Sequence, residues 1–224
     1  MNIGHRGAKG HQPENTLPSF QKAFSQNADG IELDVHICKT GEVVVIHDFT
    51  VDRTTNGTGL ISEFSLADLK KLKIEKQFQI PTLEEVLEIV PSGKLINIEL
   101  KGKNTAKPIV KIIENAIAKN QFSNNNFLIS SFDHEQLRQA FCLNSKLNFG
   151  VLTEDDLETA MEVAREILAK AIHPHFSLLT EQNVQEIQKQ GFKIFPWTVN
   201  ETEDIERIKD YKVNGIITDF PERI

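Results

Sequence analysis

The sequence predicts an α/β protein in which eight strand–helix units close into a (β/α)8 barrel, the TIM-barrel architecture, with a small inserted segment after the second strand. Short apolar runs typical of strands alternate with longer runs of helical periodicity, and this alternation favours a parallel sheet. The chain has 224 residues, which is close to the smallest size of one such barrel. No linker of biased composition divides it, so we expect a single domain over residues 1–224.

The chain begins with a short strand at residues 2–6, and a helix is expected over about residues 16–27. Pro18 is compatible with the first turn of that helix, where a backbone donor is not needed. Glu14 and Asn15 precede the helix directly. We interpret them as its N-terminal cap rather than as ligands.

The second strand alternates apolar and polar residues, and its polar face carries Glu32 and Asp34. A return run at residues 43–47 predicts an antiparallel arm. If the turn is centred on residues 40–41, His47 pairs opposite Asp34, and directly opposed residues point to the same face. The pattern therefore predicts a histidine beside two acids on one wall of a cavity.

The segment that follows the arm, about residues 48–81, interrupts the alternation. It is polar, rich in Thr and Gly, and contains one short helical piece near residues 65–72. Connections of this length inside a compact fold are usually functional. We interpret the segment as an insertion into the barrel.

Regular alternation resumes after Pro81. The remaining strands are expected at residues 94–101, 126–132, 147–152, 171–175, 193–199 and 215–218. The helices before and between them are expected at residues 83–90, 108–119, 134–141, 155–169, 181–190 and 201–209.

Acids on two neighbouring strands point to a metal. On the third strand, Asn97, Glu99 and Lys101 share one face, as Glu32 and Asp34 do on the second. Active sites of such barrels lie at the carboxyl ends of the strands. Three carboxylates in one cavity repel one another unless a cation lies among them. An all-oxygen ligand set suits Mg²⁺ or Ca²⁺.

Basic residues and histidines are predicted at the same rim. Arg6 has the planar fork that suits phosphate oxygens, and Lys101 adds a second positive charge. His5 and His47 could exchange protons on opposite sides of a phosphorus atom. Trp197 lies near the end of a later strand and is a further candidate for substrate contact. Together these residue types predict metal-assisted cleavage of a phosphoester.

Composition limits the partners. The net charge of -7 argues against a broad nucleic-acid surface. No apolar run approaches the roughly 18 residues of a membrane span, and the start of the chain lacks a signal-peptide pattern. Cys38 and Cys142 form no disulfide-rich or metal-binding spacing. We expect a cytoplasmic protein with a small-molecule substrate, without stable membrane insertion, and either monomeric or a weak homodimer.

Several motifs resemble those of the bacterial glycerophosphodiester phosphodiesterase family, within the superfamily of phospholipase C-like phosphodiesterases. They are HRG at 5–7, PENT at 13–16, ELDV at 32–35, IHD at 46–48, DRTTNGT at 52–58, IELK at 98–101 and PWTVN at 196–200. The resemblance implies a TIM barrel with an insertion after the second strand. It also implies a divalent cation on Glu32, Asp34 and Glu99, and catalysis by His5 and His47.

The function that this resemblance implies is hydrolysis of glycerophosphodiesters, such as glycerophosphocholine or glycerophosphoethanolamine, to sn-glycerol 3-phosphate and an alcohol. Arg6, Lys101 and Trp197 would bind the substrate, and the insertion at 48–81 would cover the pocket and select the glycerol end. The nucleophile could be the glycerol 2-hydroxyl or a water. The alternatives are a phospholipase D-like or phospholipase C-like lipid phosphodiesterase of the same superfamily, and a non-catalytic phosphodiester-binding barrel.

Overall fold

A computed structural model describes residues 1–224. The strands are β1 (Asn2–Gly4), β2 (Gly30–Ile37), β3 (Val43–Val45), β4 (Leu95–Leu100), β5 (Phe127–Ser131), β6 (Phe149–Thr153), β7 (Ala171–Pro174), β8 (Lys193–Ile194) and β9 (Ile216–Thr218). The helices are α1 (Leu17–Ser25), α2 (Leu66–Leu69), α3 (Leu83–Ile89), α4 (Ala106–Ala118), α5 (His134–Leu143), α6 (Leu157–Glu166), α7 (Glu181–Lys189) and α8 (Thr202–Asp210).

Eight parallel strands follow one another around the sheet in the order β8, β7, β6, β5, β4, β2, β1, β9. The backbone amide of Ile217 donates to the carbonyl of Pro196 at 3.0 Å, and the amide of Val199 donates to the carbonyl of Ile217 at 3.0 Å. These two bonds join the last strand to the segment after β8 and close the sheet. The predicted (β/α)8 fold is therefore confirmed, and β3 is an antiparallel arm on β2.

Alternation along the strands divides the core into an outer and an inner part. Leu33 and its apolar neighbours on β2 pack with helix residues such as Phe20 in one cluster of 43 buried residues. A smaller cluster, which includes Phe195 and Ile217, fills the barrel interior. Because successive strand residues point to opposite faces, burying Leu33 against α1 directs Glu32 and Asp34 into the barrel.

The register predicted for the β2–β3 arm is wrong by one residue. Val35 pairs with Val45, so His47 is not opposite Asp34. The loop has three residues rather than two, because the amide of Cys38 donates to the carbonyl of Glu42 at 3.0 Å. Gly41 has φ of +98°, which fits a three-residue hairpin loop with a left-handed residue at its end.

Two other expectations need correction. The strand expected at residues 193–199 is regular only over β8, and Pro196, which lacks a backbone donor, lies two residues beyond its end. The insertion has more structure than its composition indicated. Besides α2 it contains a 3-10 turn at Ile61–Glu63, and it packs on the β2–β3 arm through a separate apolar cluster. That cluster consists of Cys38, Val44, Ile46, Val51, Ile61, Leu69, Ile74 and Ile80.

Candidate active site

A cavity of about 200 Å³ opens at the carboxyl ends of the barrel strands. All predicted site residues except Asp34 line it, namely His5, Arg6, Glu32, His47, Glu99, Lys101 and Trp197. Asp34 is 1% exposed, and one of its carboxylate oxygens lies within 4.8 Å of those of Glu32 and Glu99. The structure therefore brings the predicted residues together at one place.

The three predicted metal ligands form one cluster. Single carboxylate oxygens of Glu32, Asp34 and Glu99 all lie within 4.8 Å of one another. Burial, together with the charges of Asp34 and Glu99, raises the pKa of Glu32 well above its usual range. Burial and the charge of Asp34 raise the pKa of Glu99 to about 7. The clustered carboxylates hold protons more tightly than isolated ones, and a cation among them would favour their deprotonation.

Two basic side chains compensate these acids in part. Lys101 Nζ donates to Glu99 Oε1 at 3.0 Å. Arg6 Nε lies 3.3 Å from Asp34 Oδ2, while Arg6 Nη1 donates to Glu14 Oε1 at 2.9 Å. The positively charged side chains of Arg6 and Lys101 therefore face four acids, the three clustered ones and Glu14. The remaining negative charge and the oxygen donors fit a bound Mg²⁺ or Ca²⁺.

The loop after β1 positions Glu32 through its backbone. The amide of Arg6 donates to Glu32 Oε2 at 2.9 Å, and Arg6 has the left-handed φ of +51°. Gly7 also has positive φ, and a Cβ there would lie 2.4 Å from Ser19 Oγ. The glycine of the HRG motif is thus required by close approach to α1.

Glu14 and Asn15 do not cap α1, contrary to the prediction. Thr16 is the cap, and its hydroxyl accepts from the amide of Ser19. Asn15 is buried, and its Nδ2 donates to Asp34 Oδ2 at 2.8 Å. Both residues before the helix therefore hold charged groups of the site in position.

His5 is oriented by an acid from the end of the chain. Its Nδ1 is 2.6 Å from Asp219 Oδ1, and Asp219 Oδ2 accepts from Asn200 Nδ2 at 2.9 Å. Burial lowers the pKa of His5, although the bond to Asp219 opposes the effect. Burial alone would raise the pKa of Asp219, but the bond and charge of His5, the charge of Lys9 and the bond from Asn200 together lower it. The result is a neutral imidazole whose Nδ1 is engaged and whose Nε2 is left for the substrate.

His47 reaches the cavity because the arm leaves the ladder soon after Val45. Its Nδ1 is 2.7 Å from Asp48 Oδ1, so both predicted catalytic histidines have a carboxylate on the same ring nitrogen. His36, buried on β2, donates from Nε2 to the carbonyl of His47 at 3.0 Å and fixes the backbone there. Burial lowers the pKa of His47 as well.

One wall of the cavity is aromatic. Phe132 and Trp197 meet edge to face with ring centroids 5.5 Å apart. Trp197 Nε1 donates to the carbonyl of His173 at 2.8 Å, and Lys101 Nζ lies 5.7 Å from the centre of the Phe132 ring. This wall offers apolar surface to the organic part of a substrate.

The insertion does not cover the cavity as predicted, since none of the cavity's lining residues lies between residues 49 and 80.

Sequence reasoning also missed Asp219, which lies 214 residues from its partner His5. The only available signal was an acid after the last strand, at the end where active sites of barrels lie. None of the helices combines the length and the hydropathy of a transmembrane span.

The sequence matches a known protein family over almost its whole length. A model of the glycerophosphoryl diester phosphodiesterase family matches residues 5–223. A glycerophosphodiester phosphodiesterase of Caldanaerobacter subterraneus is 41% identical over 99% of this chain and 95% of its own length. A glycerophosphodiester phosphodiesterase of Bacillus altitudinis is 37% identical over the same shares, 99% and 95%.

Solved structures are similar over nearly the whole fold. A phosphodiesterase of Oleispira antarctica, solved with the product sn-glycerol-3-phosphate, matches with a TM-score of 0.90 and 29% identity, over 99% of this chain and 94% of that one. A glycerophosphodiester phosphodiesterase of Thermotoga maritima matches with a TM-score of 0.85 and 31% identity, over 99% and 96%. The likeness therefore extends over the barrel and the loops at its carboxyl end.

Proposed function

The chain belongs to the glycerophosphoryl diester phosphodiesterase family, and on this premise we propose that it hydrolyses glycerophosphodiesters such as glycerophosphocholine or glycerophosphoethanolamine to sn-glycerol 3-phosphate and an alcohol. It is an enzyme, a glycerophosphodiester phosphodiesterase. The composition of the cavity supports the proposed reaction and its substrates. Three clustered acids, two cationic side chains and two carboxylate-bound histidines meet there.

Glu32, Asp34 and Glu99 would hold the divalent cation, Mg²⁺ or Ca²⁺. When bound, the cation supplies Lewis-acid stabilisation of charge on the phosphate oxygens. Arg6 and Lys101 bind the non-bridging oxygens from the protein side, because both line the cavity next to the acids. Their positive charge also stabilises the negative charge that develops in the transition state.

The histidines divide the proton transfers between them. Because Nδ1 of His5 and of His47 is bound to a carboxylate, each imidazole keeps its tautomer and presents Nε2. One takes a proton from the nucleophile, and the other protonates the alkoxide that leaves phosphorus. Phe132 and Trp197 contact the organic part of the substrate.

The experiment that tests this function is release of sn-glycerol 3-phosphate in a coupled assay. We expect turnover of glycerophosphocholine and glycerophosphoethanolamine with Mg²⁺ or Ca²⁺. Cleavage of a lysophospholipid, which releases no free sn-glycerol 3-phosphate and is followed by ³¹P NMR instead, should be much slower. Preferential cleavage of the acylated lipid would favour a lipid phosphodiesterase. Binding of the diester without any product would favour a non-catalytic barrel.

The raised pKa of Glu99 predicts how the metal-free protein responds to pH. In the folded state this pKa is about 7, against a usual value of 4.5. Glu99 therefore binds its proton more tightly in the folded than in the unfolded state, and this proton stabilises the fold. The stabilisation is fully present below pH 4.5 and is lost as pH rises through about 7. A divalent cation binds the deprotonated acids and should restore the stability.

We accordingly expect the rise in Tm caused by Mg²⁺ or Ca²⁺ to be larger at about pH 8 than at about pH 5. Thermal unfolding with and without a chelator measures it. In the Glu99→Gln variant, the metal-induced rise in Tm should differ less between the two pH values. In Glu158→Gln, which changes an exposed residue, the difference should stay as in the wild type. Equal shifts in Tm at both pH values would contradict the assignment of the acids as ligands.

A further inference from the structure

Arg53 extends from the insertion to two acids beside the site. Arg53 Nη1 and Nη2 donate to the two oxygens of Glu14 at 3.0 and 2.7 Å. Its Nε and Nη2 donate to the two oxygens of Asp48 at 2.7 and 3.0 Å. We call this arrangement the Arg53 bridge, consisting of Arg53, Glu14 and Asp48.

Both acids of the bridge hold groups that line the cavity. Asp48 binds Nδ1 of His47 at 2.7 Å, and Glu14 accepts from Arg6 at 2.9 Å. A single guanidinium therefore connects the partner of a proposed catalytic histidine with the partner of a proposed phosphate-binding arginine. The planar fork of arginine is suited to hold two carboxylates in fixed directions, whereas a lysine presents one flexible point charge.

The backbone that carries Arg53 is fixed by the insertion. Val51 is fully buried in the apolar cluster between the insertion and the β2–β3 arm, and its amide donates to the carbonyl of Gly59 at 3.0 Å. The Asp52 side chain accepts from the amide of Gly59 at 3.1 Å. Arg53 thus extends from an anchored loop.

The electrostatics agree with this geometry. Burial would raise the pKa of Glu14, but the bonds from Arg53 and the charge of Arg6 lower it to about 2. The bonds from Arg53 also hold the pKa of Asp48 well below its usual range. Both acids therefore stay ionised at neutral pH, as their roles beside His47 and Arg6 require.

We propose that Arg53 is a positioning residue, and that the insertion acts on catalysis through the Arg53 bridge by fixing the directions of His47 and Arg6. This inference rests on the proposed function. Arg53 does not line the cavity, so its removal should act on the chemical step more than on substrate binding. Small misplacements of reacting groups can cost about 100-fold in rate.

The test compares Arg53→Ala and Arg53→Lys with a matched control, Arg138→Ala. Arg138 forms a similar fork with Glu166, at 2.8 and 3.0 Å, between the outer helices α5 and α6. With glycerophosphocholine as substrate, we expect Arg53→Ala to lower kcat by about 10- to 100-fold with KM changed less than threefold. Arg53→Lys should recover only part of the loss, and Arg138→Ala should leave kcat unchanged.

Two further measurements distinguish positioning from general loss of stability. Arg53 is 49% exposed, so guanidinium at concentrations well below those that unfold the protein should enter the gap and raise kcat of Arg53→Ala, but not of Arg138→Ala. The double variant Arg53→Ala with Asp48→Asn should be little worse than the worse single variant. Since Arg53→Lys keeps the charge and the stem, it remains informative if the alanine variant folds poorly.

The outcomes separate the two proposals. If the wild type releases no sn-glycerol 3-phosphate, the proposed function fails. If the wild type is active and both Arg53 variants retain kcat within twofold, only the positioning role is overturned. The same conclusion follows if the Arg53 and Asp48 effects multiply independently and guanidinium restores nothing.

Discussion

Replacing His5 or His47 by alanine should lower kcat by about two to four orders of magnitude, the usual contribution of a positioned proton-transfer group. Each ring has Nδ1 on a carboxylate, at 2.6 Å for His5 with Asp219 and 2.7 Å for His47 with Asp48. Each therefore presents Nε2 in a fixed tautomer to the same cavity. Steady-state kinetics on glycerophosphocholine measure the loss.

Metal affinity should change little in these variants, because neither histidine belongs to the acid cluster. The two groups serve one reaction, so the double variant should be not much worse than the worse single variant. His134→Ala is the matched control, since His134 begins α5 and does not line the cavity. Near-normal kcat in His47→Ala would contradict the two-histidine mechanism.

Removing the divalent cation should abolish turnover, and Mg²⁺ or Ca²⁺ should restore it. Glu32, Asp34 and Glu99 concentrate negative charge in a buried place, and Arg6 and Lys101 balance only part of it. Glu99→Gln keeps the shape but removes one charge. It should raise the metal concentration needed for half-maximal rate and lower the rate by about 10- to 100-fold or more. Losses of that size are typical even when only a hydrogen-bond partner of a metal ligand is changed.

Glu158→Gln serves as the control for removal of an acid, because Glu158 is 69% exposed on α6. The metal concentration for half-maximal rate should be unchanged in that variant. Full activity of the wild type in excess chelator would rule out the proposed role of the acid cluster.

The sequence was sufficient for the architecture and for bringing most residues of the candidate site to one place, because strand periodicity determines both. Alternation along β2 and β4 directs Glu32, Asp34 and Glu99 to one face, and parallel strand ends meet at one edge of the barrel. The β2–β3 register was beyond this reasoning. It depends on whether the loop has two or three residues, and Thr40 with Gly41 fits either choice.

Long-range partners could not be predicted either. Asp219 binds His5 across 214 residues of chain, and Arg53 binds Glu14 across 39. No periodicity links such pairs, since only the closed barrel brings them together. Asn15 was interpreted as part of a helix cap because its residue type favours caps. In the folded protein Thr16 takes that role, and Asn15 donates to Asp34 instead.

The most direct test of the central claim is ³¹P NMR of glycerophosphocholine incubated with metal-free wild-type protein before and after addition of Mg²⁺ or Ca²⁺. The account predicts a stable diester signal before addition and its replacement by sn-glycerol 3-phosphate as the final phosphorus product afterwards. Phosphocholine as the product, or the same rate of cleavage before the metal is added, would contradict the account.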